Sequence, residues 1–192
     1  MAALNPVIKP AMAALALAAF VACPGPASGD TSKPPAKTIA DTLAYTNPTG
    51  SGYLLVRNAS STSSHLILDL VGPASSVSGV GFSLSADQTK VTWSNVGSDK
   101  VNGPLFSNAL VKTKLSGDVL QAGVYQKGTG AAVSTSSTSV LAQVAVDLKS
   151  GIPVNTTVAL SAVSGKAVIM NPPANPAVTT PITILAGSLV AN

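Results

Sequence analysis

The side chains able to do acid–base or nucleophilic chemistry are few and scattered. The 192 residues hold one histidine, His65, one cysteine, Cys23, and seven acidic residues, all of them aspartate. Acid–base catalysis needs titratable groups held against one another. His65 and Asp69 share one face of an alternating segment, but four residues of extended chain set them about 13 Å apart, too far for a relay. A glycosidase-like pair would have to come from Asp41, Asp69, Asp87, Asp99, Asp118 and Asp147, most of which fall in turns or on outward faces. With one histidine and many serines a Ser-His-Asp triad stays open. There is no Gly-x-Ser-x-Gly elbow, however, and Gly79-Val80-Gly81 and Gly128-Thr129-Gly130 lack the rest of a phosphate-loop signature. The sequence therefore reads as that of a non-enzyme with no cofactor. A calcium site needs several converging oxygens, and no spaced aspartate cluster supplies them, so no metal site is expected.

Binding chemistry is left to the aromatic rings, whose faces give apolar contact while the rim stays wet. Phe82 and Trp93 fall on inward faces of alternating segments and are assigned to the core. Tyr125 shares parity with Val119, Gln121 and Gly123, opposite Leu120, Ala122 and Val124, which makes it the better exposed ligand-binding candidate; Tyr53 is next. The net charge is +4, but the basic residues are dispersed and only Lys112 and Lys114 share a face of one short strand. Tracking a phosphate backbone takes a stripe of cations, so no nucleic-acid partner is expected.

The elements that must position these residues begin after a leader. Residues 1–22 read as a signal peptide: Lys9 supplies the positive charge and Ala11–Ala22 is an apolar run too short to span a bilayer. Phe20-Val21-Ala22-Cys23 resembles the lipobox of bacterial lipoproteins, with Phe20 where that family usually has leucine. The resemblance implies cleavage before Cys23, a diacylglyceryl group on its sulfur and, with Pro24 following, an outer-membrane destination. Two acyl chains suffice for stable anchoring. The competing reading is cleavage after Gly25-Pro26-Ala27 and free secretion. Residues 23–52, rich in proline, glycine and serine, read as an extended tether. Thr38–Tyr45 within it stays open between a first strand and the tether's end.

From Tyr53 to Asn192 short apolar segments alternate with period two between clusters of Gly, Pro, Asn and Ser. His65–Val71, Val77–Ser85, Lys90–Asn95, Leu110–Leu115, Val119–Gln126, Val140–Leu148, Thr156–Val163 and Ile182–Val190 all fit, with Ser116-Gly117-Asp118 as a hairpin turn. About nine such strands predict an all-β fold, a two-sheet antiparallel β-sandwich or jelly roll over residues 53–192. Asn171–Pro181 is excluded as a central strand by its prolines.

The run Val77-Ser78-Gly79-Val80-Gly81-Phe82-Ser83-Leu84-Ser85-Ala86-Asp87, then Lys90–Val96, resembles the segment of cohesin domains and related carbohydrate-binding sandwiches in which an alternating strand ends in an Asp-bearing turn. Val140–Leu148, Gly151 and Val158–Leu160 are similar to the later long strand, glycine and short strand of those domains. Ala86 and Gln88 stand where the family has Tyr and Pro. The resemblance implies a nine-stranded cohesin-like sandwich and, more weakly, docking of a dockerin partner. The expected role is a lipid-anchored, non-catalytic binding or scaffolding module at the bacterial cell envelope, with a protein or surface polysaccharide as partner. The alternatives are a structural subunit of a surface layer or appendage and, third, a wall-polymer hydrolase.

Overall fold

Why the alternating segments become strands is visible in where their apolar faces go. The computed structural model describes residues 36–128, 132–171 and 178–192; the leader, Cys23 and the tether up to Pro35 lie outside them. The described residues contain strands and no helix. In chain order these are β1 (Leu43–Thr46), β2 (Tyr53–Arg57), β3 (His65–Val71), β4 (Ser76–Val77), β5 (Gly79–Ala86), β6 (Val91–Ser94), β7 (Val101–Asn102), β8 (Ala109–Ser116), β9 (Val119–Gln126), β10 (Val133–Ser134), β11 (Val140–Leu148), β12 (Thr156–Val158), β13 (Leu160–Ala162), β14 (Val168–Asn171), β15 (Val178–Pro181), β16 (Ile184–Leu185) and β17 (Ser188–Ala191).

Two six-stranded sheets carry the architecture. One runs β16-β2-β3-β11-β6, with β7 also on β11; the other runs β15-β14-β5-β9-β8, with β13 also on β5. All their pairings are antiparallel except β16 with β2. Their inner faces supply one core: Leu66, Leu68, Leu70, Val144 and Val146 from the first sheet, Val80, Phe82, Leu84, Leu120 and Val124 from the second. Each fully buried aliphatic side chain contributes about 1.5–3 kcal/mol, which is how a chain with no disulfide among its described residues holds together. Phe82 and Trp93 are in this core, as their parity predicts, and Trp93 Nε1 donates to Asp118 O at 3.2 Å, tying β6 to the β8–β9 turn of the opposite sheet. That turn, Gly117-Asp118, has two residues with positive φ only at Gly117 (55°), the pattern of a type II′ hairpin.

Several expected strands are cut by bends. Thr156–Val163 divides at Ala159: β12 joins a small third sheet, β1-β17-β12, while β13 joins β5. Ile182–Val190 divides likewise between β16 and β17. Period-two alternation does not report such bends, because both halves keep it. In β11 a bulge between Val140 and Ala142 places Val140 opposite Val71, so both Leu141 and Ala142 are buried. Leu43–Thr46, at the open end of the tether reading, is a strand paired with β17, and Leu43 is 2% exposed. The packed unit accordingly starts at Ala36. β15 is an edge strand ending on Pro181, a position that needs no proline donor.

Candidate functional site

On the sheet β15-β14-β5-β9-β8, burying Val80, Phe82, Leu84, Leu120 and Val124 forces their neighbours outward. Gly79, Gly81 and Ser83 of β5 thus stand beside Tyr125, Gly123 and Gln121 of β9 in register, and these beside Leu110, Lys112 and Lys114 of β8. The glycines make a flat seat. A Cβ on Gly123 would lie 2.1 Å from Tyr125 Oη, and one on Gly79 2.7 Å from Tyr125 Cδ1. The Tyr125 ring therefore lies along the sheet surface instead of standing off it. Met170 of β14, opposite Gly79, and Leu110, opposite Tyr125 and 42% exposed, continue an apolar row across the strands.

Beside that row runs an open groove of about 600 Å³ whose lining includes Ser83, Lys112, Lys114, Gln121, Tyr125 and Lys166. Among the described residues no acidic side chain lines it. Of the lysines elsewhere, Lys90 pairs with Asp87 at 2.9 Å, Lys37 with Asp41, and Lys100 and Lys149 donate to Trp93 O and Gln88 O; no side-chain bond is seen for Lys127 among the described residues. Among the described residues the side chains of Lys112, Lys114 and Lys166 have no hydrogen-bonding or ionic partner, so the groove keeps three cations along its lining.

Tyr53 is placed elsewhere. It begins β2 of the other sheet, its ring over Gly72, where a Cβ would lie 2.4 Å from Tyr53 Cε1. Burial raises its hydroxyl pKa against an opposing hydrogen bond with Ser75. The two tyrosine candidates are on different sheets and share no site. Cys23, the lipidation candidate, lies outside the described residues.

Of the catalytic candidates, His65 and Asp147 meet, but among the described residues no third group completes the pair. His65 Nδ1 is 2.5 Å from Asp147 Oδ1, its register partner across β3 and β11. Asp69, on the same outward face as His65, instead accepts from Asn58 Nδ2 at 2.8 Å and Gln143 Nε2 at 2.9 Å. Among the described residues no hydroxyl is bonded to the His65 ring and no three metal-ligating side chains come together. Asp87 sits in a turn, where the Lys90 ammonium and the Thr89 hydroxyl and amide lower its pKa to about 2. The His65–Asp147 contact was not readable beforehand, since residues 82 positions apart meet only through strand register. The lysine triplet was half readable: Lys112 and Lys114 share parity, but Lys166 arrives from another part of the chain.

No protein-family model matches the chain, and no curated protein matches it. Solved structures do. The chain is similar to the sixth cohesin of scaffoldin B from Acetivibrio cellulolyticus, solved in complex with a Cel5 dockerin, at 18% identity over 72% of this chain and 97% of that one, with a TM-score of 0.50. It is also similar to the type II cohesin A11 of Bacteroides cellulosolvens (11% identity, 73% and 99% covered, TM-score 0.49) and to the cohesin module of a family 33 glycoside hydrolase of Clostridium perfringens (11%, 77% and 98%, TM-score 0.44). The fold is a cohesin-like jelly-roll β-sandwich.

Proposed function

We propose that this chain is an exported, non-catalytic docking module that binds a partner protein through the outward face of the sheet β15-β14-β5-β9-β8. The observation that carries this reading is the Tyr125 ring laid flat on Gly79 and Gly123, with Met170 and Leu110 continuing the apolar row and unpaired lysines alongside. A pre-positioned aromatic anchor with apolar neighbours and a polar rim is the composition of a protein-binding hot spot. The similarity to a cohesin solved with its dockerin supports a protein as partner over a polysaccharide. A single half-buried tyrosine is also a poor platform for a sugar chain, which is gripped by open ring faces. Export and attachment rest on the leader and on Cys23 as the acylated residue, which would place the module at the cell envelope on the chain that precedes Ala36.

The test is cross-linking with mass spectrometry on intact cells, comparing wild type with Tyr125→Ala and with Thr92→Ala on the opposite sheet. Cross-links to a partner from residues around Tyr125, lost in Tyr125→Ala and kept in Thr92→Ala, support the reading. A partner retained by Tyr125→Ala and lost in Thr92→Ala overturns it. The intact mass of membrane-extracted protein tests the anchor: acylated Cys23 supports it, and a chain starting at Ser28 replaces it with free secretion.

A further inference from the structure

β8 ends its sheet and is eight residues long. The other ends of the two large sheets are short or blocked. β15 has four residues and stops on Pro181, β16 has two, and β6 has four with Lys100 Nζ bonded to Trp93 O. Which backbone groups of β8 point outward follows from its ladder. Lys127 N donates to Asn108 O at 2.9 Å, one step beyond β8–β9. Hydrogen-bonded and non-bonded pairs alternate in an antiparallel ladder. Leu110, Lys112, Lys114 and Ser116 therefore bond to β9, while Ala109, Val111, Thr113 and Leu115 aim their N–H and C=O groups at the open edge. Among the described residues no backbone group bonds to these four.

An open edge of this length is a template for another strand, and natural proteins use edge lysines to refuse the wrong one. Two copies pairing antiparallel through β8 in the registers centred on Lys112 or Thr113 would set lysine against lysine, a destabilising arrangement. The chain's own stretch before Ala36 fits no better: it offers Asp30 against Lys33, and Pro24, Pro26, Pro34 and Pro35 lack ladder donors. A strand with carboxylates at alternate positions would instead place them beside Lys112 and Lys114, both exposed and unpaired.

We propose that the free edge of β8 binds an extended segment of a partner protein as an added strand, with acidic side chains at alternate positions of that segment facing Lys112 and Lys114. This contact shares Lys112 and Lys114 with the groove beside Tyr125 but differs from the Tyr125 face in using backbone groups at the sheet's edge, and the strand would lie beyond Leu110, not over the glycine seat.

The probes are dye-labelled heptapeptides of sequence Thr-Glu-Val-Glu-Val-Glu-Thr, a version with Lys for every Glu, and a version N-methylated on alternate amides, titrated against the full chain by fluorescence anisotropy. The acidic peptide is expected to bind and to weaken as salt rises. Lys112→Glu/Lys114→Glu is expected to weaken it roughly two- to thirtyfold, from two cross-strand pairs, and to reverse the preference toward the lysine peptide. Methylation of the ladder amides is expected to abolish binding. Equal binding of the methylated peptide, equal binding of the lysine peptide, no binding at all, or β8-dependent self-association in light scattering would each overturn the proposal. Tyr125→Ala is expected to leave peptide binding unchanged while removing the partner contact of the sheet face, and amide methylation to abolish only the peptide, so these two arms distinguish failure of one reading from failure of the other.

Discussion

Replacing Gly123 with alanine should displace the Tyr125 ring, and the displacement should be measurable as coupling between the two positions. A Cβ on Gly123 would meet Tyr125 Oη at 2.1 Å, Cζ at 2.5 Å and Cε2 at 2.6 Å, about 1 Å inside ordinary carbon contact. The obstacle is a side chain, so the ring can swing off the sheet. Doing so exposes roughly 40–60 Å² of apolar surface, about 1–1.5 kcal/mol at about 25 cal/mol per Å². Against this, Gly→Ala restrains the unfolded chain and returns about 0.4–1 kcal/mol where φ is compatible; Gly123 is not among the positive-φ glycines. Gly123→Ala alone is thus expected to destabilise by about 0.5 kcal/mol, and in a Tyr125→Ala background to stabilise by a similar amount, a coupling near 1 kcal/mol. Urea unfolding followed through Trp93, the one tryptophan, measures all four corners of the cycle. Equal destabilisation in both backgrounds would show that backbone, not the ring, occupies the space, and the seat described here would be wrong.

Gly187→Ala should be far worse, because its Cβ would stand 1.9 Å from Thr46 O. The strand pair β1–β17 must part, so a loss on the order of 3 kcal/mol in chemical denaturation is expected, against about 1 kcal/mol for Gly117→Ala, where only the positive φ resists. Trp93→Phe removes the donor to Asp118 O, and thermal unfolding should report a loss of about 1 kcal/mol or more from the hydrogen bond and the smaller ring. Asp87 has its folded pKa lowered to about 2 from 3.8. Its contribution is therefore present above pH 3.8 and lost as pH falls through about 2. Lys90→Ala should flatten this acid limb in pH-dependent melts, and an unchanged limb would assign it to other carboxylates.

How far the residues alone carried the argument differs from element to element. β3 was legible because Leu66, Leu68 and Leu70 fall on one face with His65 and Asp69 on the other, and alternation has one structural meaning in a half-buried strand. The β8–β9 hairpin was legible because glycine at the first turn position selects the turn type. Tyr125 could be set on the outward face by parity alone. That its ring lies flat could not, since the space for it comes from Gly79, on a different strand, as well as from Gly123. The bends at Ala159 and between β16 and β17 left no mark, because each half keeps the alternation of the whole.

Composition and parity thus determined by themselves that the chain is all-β, which side chains face inward, and how little it carries for acid–base chemistry. These are local properties: each residue's side is set by its neighbours two positions away. Only the tertiary structure decided that His65 meets Asp147 and not Asp69, that Lys166 joins Lys112 and Lys114, and that β8 is left at a sheet's end. Those outcomes depend on strand order and register, which are set by the packing of the two inner faces together.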